Sequence, residues 1–165
     1  MRTLFNILSL ATLFLLTGCQ QKNAAGVPLS FYIVSEEKID GGQFIDTPDF
    51  PKLGYIHATP DLIITKLESV DSGSPSPSIM LDKDEKVVSS NSVPTLSILL
   101  NSDDAKKFSS LTEQAVGKRL LTMLGDKPLI APRVPSPIST PKIQLILSEQ
   151  TDQKKIENEL KQLVH

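Results

Sequence analysis

Apolar residues in this chain fall mostly in short alternating runs, the pattern of half-buried strands, and in two places they recur every three to four residues, the pattern of one helix face. Phe31 to Val34 is a brief apolar run of strand character, followed by a turn-rich segment holding Gly41-Gly42, Pro48, Pro51 and Pro60. Leu62 to Val70 opens with apolar β-formers and reads as another strand. Asp71 to Ser78 contains only Ser, Pro, Gly and one Asp, so it has nothing to bury and is expected as an exposed, mobile loop. The short apolar piece Ile79 to Leu81 then leads into the charged run Asp82-Lys83-Asp84-Glu85-Lys86.

The second half is better patterned. Leu96, Ile98 and Leu100 alternate with Thr95, Ser97 and Leu99 as a half-buried strand. Asn101 or Ser102 then caps a helix whose first turn carries Asp103 and Asp104, favourable against its dipole. Ala105, Phe108, Leu111, Thr112 and Ala115 make its apolar face, and Gly117 supplies the left-handed stop. Leu120 to Leu124 and Leu129 to Ala131 flank Gly125-Asp126-Lys127 as a hairpin, whose second strand is an edge because Pro128 and Pro132 cannot donate to a ladder. Arg133 to Pro141 holds three prolines among Ser and Thr and is expected to project as a semi-rigid loop. Ile143, Leu145 and Leu147 form one face of a last central strand. Ile156, Leu160 and Leu163 line a C-terminal helix with Glu157 and Lys161 paired outside. Two helices on one face of a mostly antiparallel sheet is an α+β architecture, predicted as one domain over residues 30 to 165.

The N-terminal pattern is different. After one positive charge at Arg2, Leu4 to Leu16 is a run of about 13 mostly apolar residues broken by Asn6, Ser9 and Thr12. That suits a secretory signal and falls short of the roughly 20 residues needed to span a bilayer. Leu16-Thr17-Gly18-Cys19 resembles the lipobox of bacterial lipoproteins. Small Thr17 and Gly18 let a peptidase reach the bond after residue 18, and the Cys19 thiol becomes the thioether to diacylglycerol. In that family the freed amine is often acylated as well, and at ~0.8 kcal/mol per buried methylene two or three chains anchor essentially permanently. Residues 1–18 are thus expected to be a signal peptide and 19–29 a lipidated N-terminus and tether. The alternative, an ordinary cleaved signal, leaves the chain's one cysteine as a lone thiol without a role. The expected location is the cell envelope, facing the periplasm or cell exterior. Gln20 after the cysteine favours the outer membrane by resemblance to Gram-negative sorting, and carries no information in a Gram-positive host.

Charge and composition narrow the function. A net charge of −2 and a pI near 5.7 give no electrostatic footprint for nucleic acid. Two Tyr, six Phe and no Trp argue against a large aromatic hot-spot interface or a stacked sugar site. The run from Asp82 to Lys86 lacks the Gly and the distant Glu of an EF-hand, so no metal is expected there. Of the two histidines, His165 is terminal, and a triad or zinc site would have to rest on His57. No nucleophile elbow, phosphate loop or H-E-x-x-H occurs, and Glu36-Glu37 and Asp103-Asp104 read as solvated neighbours. The expectation is a non-catalytic protein without cofactor.

Leu96 to Leu163 reads as strand, helix, hairpin, strand, helix, and its residues resemble the head subdomain of the first periplasmic domain of SecD, a protein-export subunit. Phe108, Thr112, Val116-Gly117-Lys118-Arg119 and Ala131-Pro132 stand in the family's order: phenylalanine, threonine, valine-glycine-lysine-arginine, hairpin, alanine-proline. The resemblance covers about the last 70 residues. It departs at Gly125-Asp126, where the family has aspartate-glycine, and at Thr140-Pro141, where it has a double glycine. The loop is therefore expected to be stiffer and differently aimed. SecD couples proton flow to head movement through transmembrane helices, which this sequence does not show, so a motor acting alone is not expected.

The resemblance implies a polypeptide-binding or export-accessory module. An open sheet edge, or the loop with Ala131, Pro132, Arg133, Pro135, Ser136 and Pro137, would hold a protein or unfolded-chain partner. Those prolines also have a plainer reading, protection of an edge strand from aggregation. Two alternatives stay open: an assembly lipoprotein docking on one folded partner, and a hydrolase if His57 packs beside a Ser and an Asp in a pocket.

Overall fold

The structure, a computed structural model, describes residues 26–73, 76–81, 87–148 and 151–164. The expected signal peptide, Cys19, most of the expected tether, the charged run and His165 lie outside the described residues. Strands β1 (Leu29–Val34), β2 (Gln43–Ile45), β3 (Gly54–Ile56), β4 (Leu62–Ile64), β5 (Ser69–Ser72), β6 (Ser76–Leu81), β7 (Val87–Val93) and β8 (Thr95–Leu99) precede helix α1 (Ser102–Gln114). Strands β9 (Arg119–Leu124), β10 (Lys127–Ile130) and β11 (Lys142–Ile146) and helix α2 (Gln153–Lys161) follow.

Every strand pair is antiparallel, and the strands form two main sheets, β10-β9-β1-β4 and β11-β8-β5, plus the hairpins β2-β3 and β6-β7. The α+β class holds, with the expected sheet divided in two. Period-two alternation gives the first sheet two buried faces. Leu29 and Phe31 of β1, with Leu120 and Leu124 of β9, join the main core, which also takes Leu96, Ile98, Leu145, Phe108, Leu111, Ile156 and Leu160 from the second sheet and both helices. Val34 and Leu121 point the other way and pack with Ile45, Ile56 and Ala131, so the β2-β3 hairpin covers that face. The supposed turn-rich segment from residue 41 to 60 therefore contains a structural hairpin.

Three further expectations are corrected. Leu62 to Val70 is not one strand: β4 pairs with β1, and β5 pairs with β8 in the other sheet. Its buried apolar residues Ile64, Leu67 and Val70 stand three apart, and a single strand would send them to alternating faces. Between the strands the Leu67 amide donates to the Leu163 carbonyl at 2.8 Å, tying the crossover to the end of α2. Next, Ser76 to Ser78 of the supposed loop belong to β6, with Pro77 opposite Ser92. A two-stranded ribbon needs backbone pairing rather than burial, and each of its strands has a free edge where proline is tolerated.

The third correction concerns the loop after β10, which is stitched down at its start. Val134 is buried, its amide donates to the Lys118 carbonyl at 2.9 Å, and its carbonyl accepts from the Gly117 amide at 2.8 Å. Further along, Thr112 of α1, fully buried, donates through Oγ1 to the Ser109 carbonyl and accepts from the Ile138 amide, both at 2.9 Å. Thr112→Val keeps the shape and removes both bonds, so the Ile138 amide loses its acceptor. A loss of ~1–2 kcal/mol is expected, read by urea unfolding, together with faster amide exchange at Ile138. An unchanged exchange rate at Ile138 would show that the hydroxyl does not hold the loop.

Both helix starts follow the capping chemistry. Asn101 Oδ1 accepts from the amides of Asp103 and Asp104 at 3.1 and 2.9 Å, and Asp152 Oδ1 accepts from the Lys155 amide at 3.1 Å. On α2, Glu157 receives Lys161 Nζ at 2.7 Å and the Ser72 hydroxyl of β5 at 2.9 Å. The Lys161 bond first, then the Ser72 bond, hold the Glu157 carboxyl below its usual value of 4.5. A carboxyl with a lowered folded-state pKa stabilises above its unfolded value, and that contribution is lost as pH falls through the folded one. The wild-type urea midpoint should therefore drop more steeply below about pH 4.5 than that of Glu157→Gln. Parallel pH profiles would contradict it.

Candidate functional site: a groove between two strand edges

β10 ends one sheet and β11 ends the other, and a groove of about 580 Å³ lies between them. Pro128, Ile130 and Pro132 line one wall, Gln144 and Ile146 the other, and Phe50 from the β2-β3 connection closes one side. Asp49 and Lys127 are its ionisable lining residues. Ile146 is 49% exposed, an apolar side chain on the outward face of β11, where the alternation calls for a polar one.

The two edges differ in what their backbones offer. Leu100 donates its amide to the Pro141 carbonyl and Leu147 donates to the Pro94 carbonyl, each at 2.9 Å. In an antiparallel ladder the bonding direction alternates, so Ile143 and Leu145 bond toward β8. Gln144 and Ile146 present their amides and carbonyls to the free edge, as Lys142 does its amide, while the Lys142 carbonyl accepts from the Thr140 hydroxyl at 3.1 Å. On the other side, the Gly125 amide donates to the Pro28 carbonyl at 3.0 Å, so odd-numbered residues of β9 bond toward β1 and even-numbered ones toward β10. Pro128, opposite Met123, therefore meets the free edge where it has no N–H to give. The Ala131 carbonyl is also taken, by Arg119 Nη1 at 3.1 Å. The β10 side is thus a mostly closed wall, and β11 is an open template.

The six loop residues singled out in the sequence separate. Ala131 and Pro132 line the groove. Arg133 lines a second cavity of about 410 Å³ with Val34, Glu36, Leu53 and Arg119, where it donates to the Gly117 carbonyl and stands 4.0 Å from Glu36. Pro135, Ser136 and Pro137 are exposed and line neither cavity. Sequence reasoning missed Phe50 and Ile146. The signal for Ile146 was present: it is an apolar residue between Gln144 and Ser148 on the polar side of an alternating strand. His57 is exposed and outside both cavities, so the hydrolase site conditional on its burial with Ser and Asp does not form. Among the described residues no group of three or more His, Cys, Asp or Glu is placed to hold a metal, and no helix is long and apolar enough to cross a membrane.

No protein-family model matches the chain. A 58-residue stretch is 41% identical to the protein translocase subunit SecD of Acidaminococcus fermentans, covering 34% of this chain and 14% of that protein. Among solved structures, SecDF, described as a membrane component that enhances protein export, superposes with a TM-score of 0.53 at 21% identity, over 86% of this chain and 65% of that one. The domain is SecD-head-like. A second SecDF structure, in a super-membrane-facing form, gives the same TM-score at 18% identity and covers 86% of this chain and 19% of that one. The likeness thus extends beyond the C-terminal half that carried the sequence resemblance. The matched stretch is about a seventh of the SecD relative's length, so the SecD-head-like domain corresponds to one part of that larger protein.

Proposed function

We propose that this chain is a lipid-anchored envelope protein whose SecD-head-like domain serves protein export as a non-catalytic accessory, holding extended polypeptide in the groove between β10 and β11. The observation that carries the reading is the free edge of β11, with Gln144 and Ile146 presenting backbone groups beside an apolar wall. An added strand would gain main-chain hydrogen bonds from that edge, which do not depend on sequence, and apolar contact from Ile146, Phe50 and Ile130. This suits many client chains rather than one. The relation to SecD and SecDF supports the export context, and Leu16-Thr17-Gly18-Cys19 supports the anchor.

The other reading, docking on one folded partner, calls for a contiguous apolar surface. Large exposed apolar residues instead come from separate parts of the chain, Phe44 from β2, Ile63 from β4, and Val27 and Val116 from connecting segments.

A photo-crosslinking residue placed in intact cells at Ile146, at Ser136 and at the exposed α1 position Lys107 tests the proposal. Ile146 should trap many newly exported chains, with Lys107 at background. One recurring folded partner from Ile146 would favour docking, and background at all three positions would sink both readings.

A further inference from the structure

Arg119 and Arg133 face one another across a backbone pairing. The Leu120 amide donates to the Pro132 carbonyl and the Val134 amide to the Lys118 carbonyl, each at 2.9 Å, so the bridge between Arg119 and Arg133 is a non-hydrogen-bonded antiparallel pair. Such a pair brings its Cα atoms to about 4.5 Å and its side chains closer than a hydrogen-bonded pair does. Like charges placed opposite in this way repel and cost stability. Among the described residues the one ion pair that either arginine makes is weak. Glu36 Oε1 stands 4.0 Å from Arg133 Nη2, and the Glu36 side chain is 93% exposed.

The two guanidinium groups are nevertheless held in place. Arg119 Nη1 donates to the Ala131 carbonyl at 3.1 Å, and Arg133 Nη1 donates to the Gly117 carbonyl. Each bond leaves most of the N–H donors of its planar fork for another acceptor. Both arginines line the cavity of about 410 Å³, with Val34, the register partner of Arg119 on β1, and Leu53 as apolar wall.

Resting on the groove reading above, we infer that this cavity takes a carboxylate of the captured polypeptide, an Asp or Glu side chain next to its apolar stretch, between Arg119 and Arg133. A carboxylate offers two oxygens to a guanidinium fork and relieves the repulsion between the two arginines. The charge also fits. Glu36, Glu37, Lys118, Arg119 and Arg133 line the cavity, three cations against two anions, so one carboxylate balances it, whereas a dianionic phosphate would leave an excess beside two glutamates. The groove and the cavity share two walls. Ala131 and Pro132 line the groove and Arg133, the next residue, lines the cavity; Phe50 lines the groove and Leu53, three residues on, lines the cavity. A chain leaving the groove past Pro132 therefore meets Arg133 at once. The β11 edge reads backbone alone, and the arginine pair adds a preference among client chains.

The test uses blocked peptides that alternate Leu and Ser, end-labelled with an uncharged dye and carrying either Glu or its isostere Gln just before or just after the alternating stretch. Anisotropy with the detergent-solubilised full chain at low ionic strength should show the better-placed Glu peptide binding about tenfold more tightly than its Gln control. Arg119→Gln and Arg133→Gln should each remove most of that preference and leave the affinity for the Gln peptide unchanged. Arg133→Lys, which keeps the charge and loses the fork, should retain only part of it, and it carries the comparison if Arg133→Gln lowers the urea midpoint too far for the chain to stay folded. Ile146→Ser should weaken both peptides alike. Equal binding of the Glu and Gln peptides overturns the carboxylate site and leaves the groove standing. A Glu preference that survives the arginine substitutions puts the carboxylate elsewhere and overturns the inference. Release of the Glu peptide by inorganic phosphate, at concentrations where acetate has no effect, assigns the cavity to phosphate and overturns the carboxylate. Binding of neither peptide overturns the groove reading, and the inference with it.

Discussion

Phe108→Ala is expected to cost about 3–5 kcal/mol of folding stability, a large part of the ~5–15 kcal/mol that a domain possesses. Phe108 projects from the middle of α1 with 2% of its surface exposed and meets Phe31 of β1 edge-on, the ring centroids 5.1 Å apart at 61°. It reaches the centre of the core to which both sheets and both helices contribute. Truncation there removes the transfer energy of the ring and leaves a cavity that rigid strands on several sides cannot close. Phe108→Leu fills most of the space and should lose distinctly less. Urea unfolding of the detergent-solubilised full chain measures both. A loss under about 1 kcal/mol for the alanine variant would mean that the helix does not anchor the core.

Phe108 was also the first landmark of the SecD resemblance, and the parts of the fold legible in the sequence share its character. α1 announces itself through Asn101, Asp103, Asp104 and the spacing from Ala105 to Ala115, all within two turns of where they act. The β9-β10 hairpin does so through Gly125, whose φ of 58° is the left-handed conformation that a tight turn requires. What stayed hidden depends on partners far away in the chain. Ile45 and Ile56 look like isolated apolar residues among turn formers until Val34, Leu121 and Ala131 supply the surface that they cover. Leu67 looks like part of a strand until Leu163 claims its amide. Each apolar residue in these segments is compatible with several local structures, and tertiary burial chooses among them.

The site divides in the same way. Ala131 and Pro132 were legible because Pro128 and Pro132 mark an edge, whatever that edge faces. That the edge faces β11 across a groove follows from β8 pairing with β11 and β5 and not with β10, which no local pattern encodes. The prolines alone predict that the whole stretch to Pro141 projects. The backbone bonds of Val134 and the Thr112 hydroxyl show the opposite for much of it. Proline rigidity describes φ alone, and the neighbouring amides of Val134 and Ile138 remain free to bond.

Gly54→Ala should be the most damaging exchange of a single hydrogen for a methyl in the described fold. Gly54 opens β3 with a φ of 133°, where an L side chain is strained. A Cβ there would stand 2.5 Å from the Ser35 carbonyl oxygen and 2.8 Å from Val34 Cγ1. The first contact is with backbone that cannot yield, because the Ser35 amide and carbonyl exchange 2.8 Å hydrogen bonds with Tyr55. Relief requires the β2-β3 hairpin to lift from the end of β1, uncovering Val34 and Leu121. The expected cost is ~2–4 kcal/mol from strain and lost packing. Hydrogen exchange should localise it, with protection lost across residues 43–56 and kept in α1 and β9. Gly41→Ala is the control: its φ of 68° is also positive, but nothing lies within 4 Å, so it should cost only about 1 kcal/mol. Because Pro48 and Phe50 ride on the same hairpin and wall the groove, Gly54→Ala should also weaken crosslinking from Ile146 at temperatures where the rest of the domain stays folded. Loss of crosslinking together with intact exchange protection in α1 would tie polypeptide capture to the hairpin wall rather than to global stability.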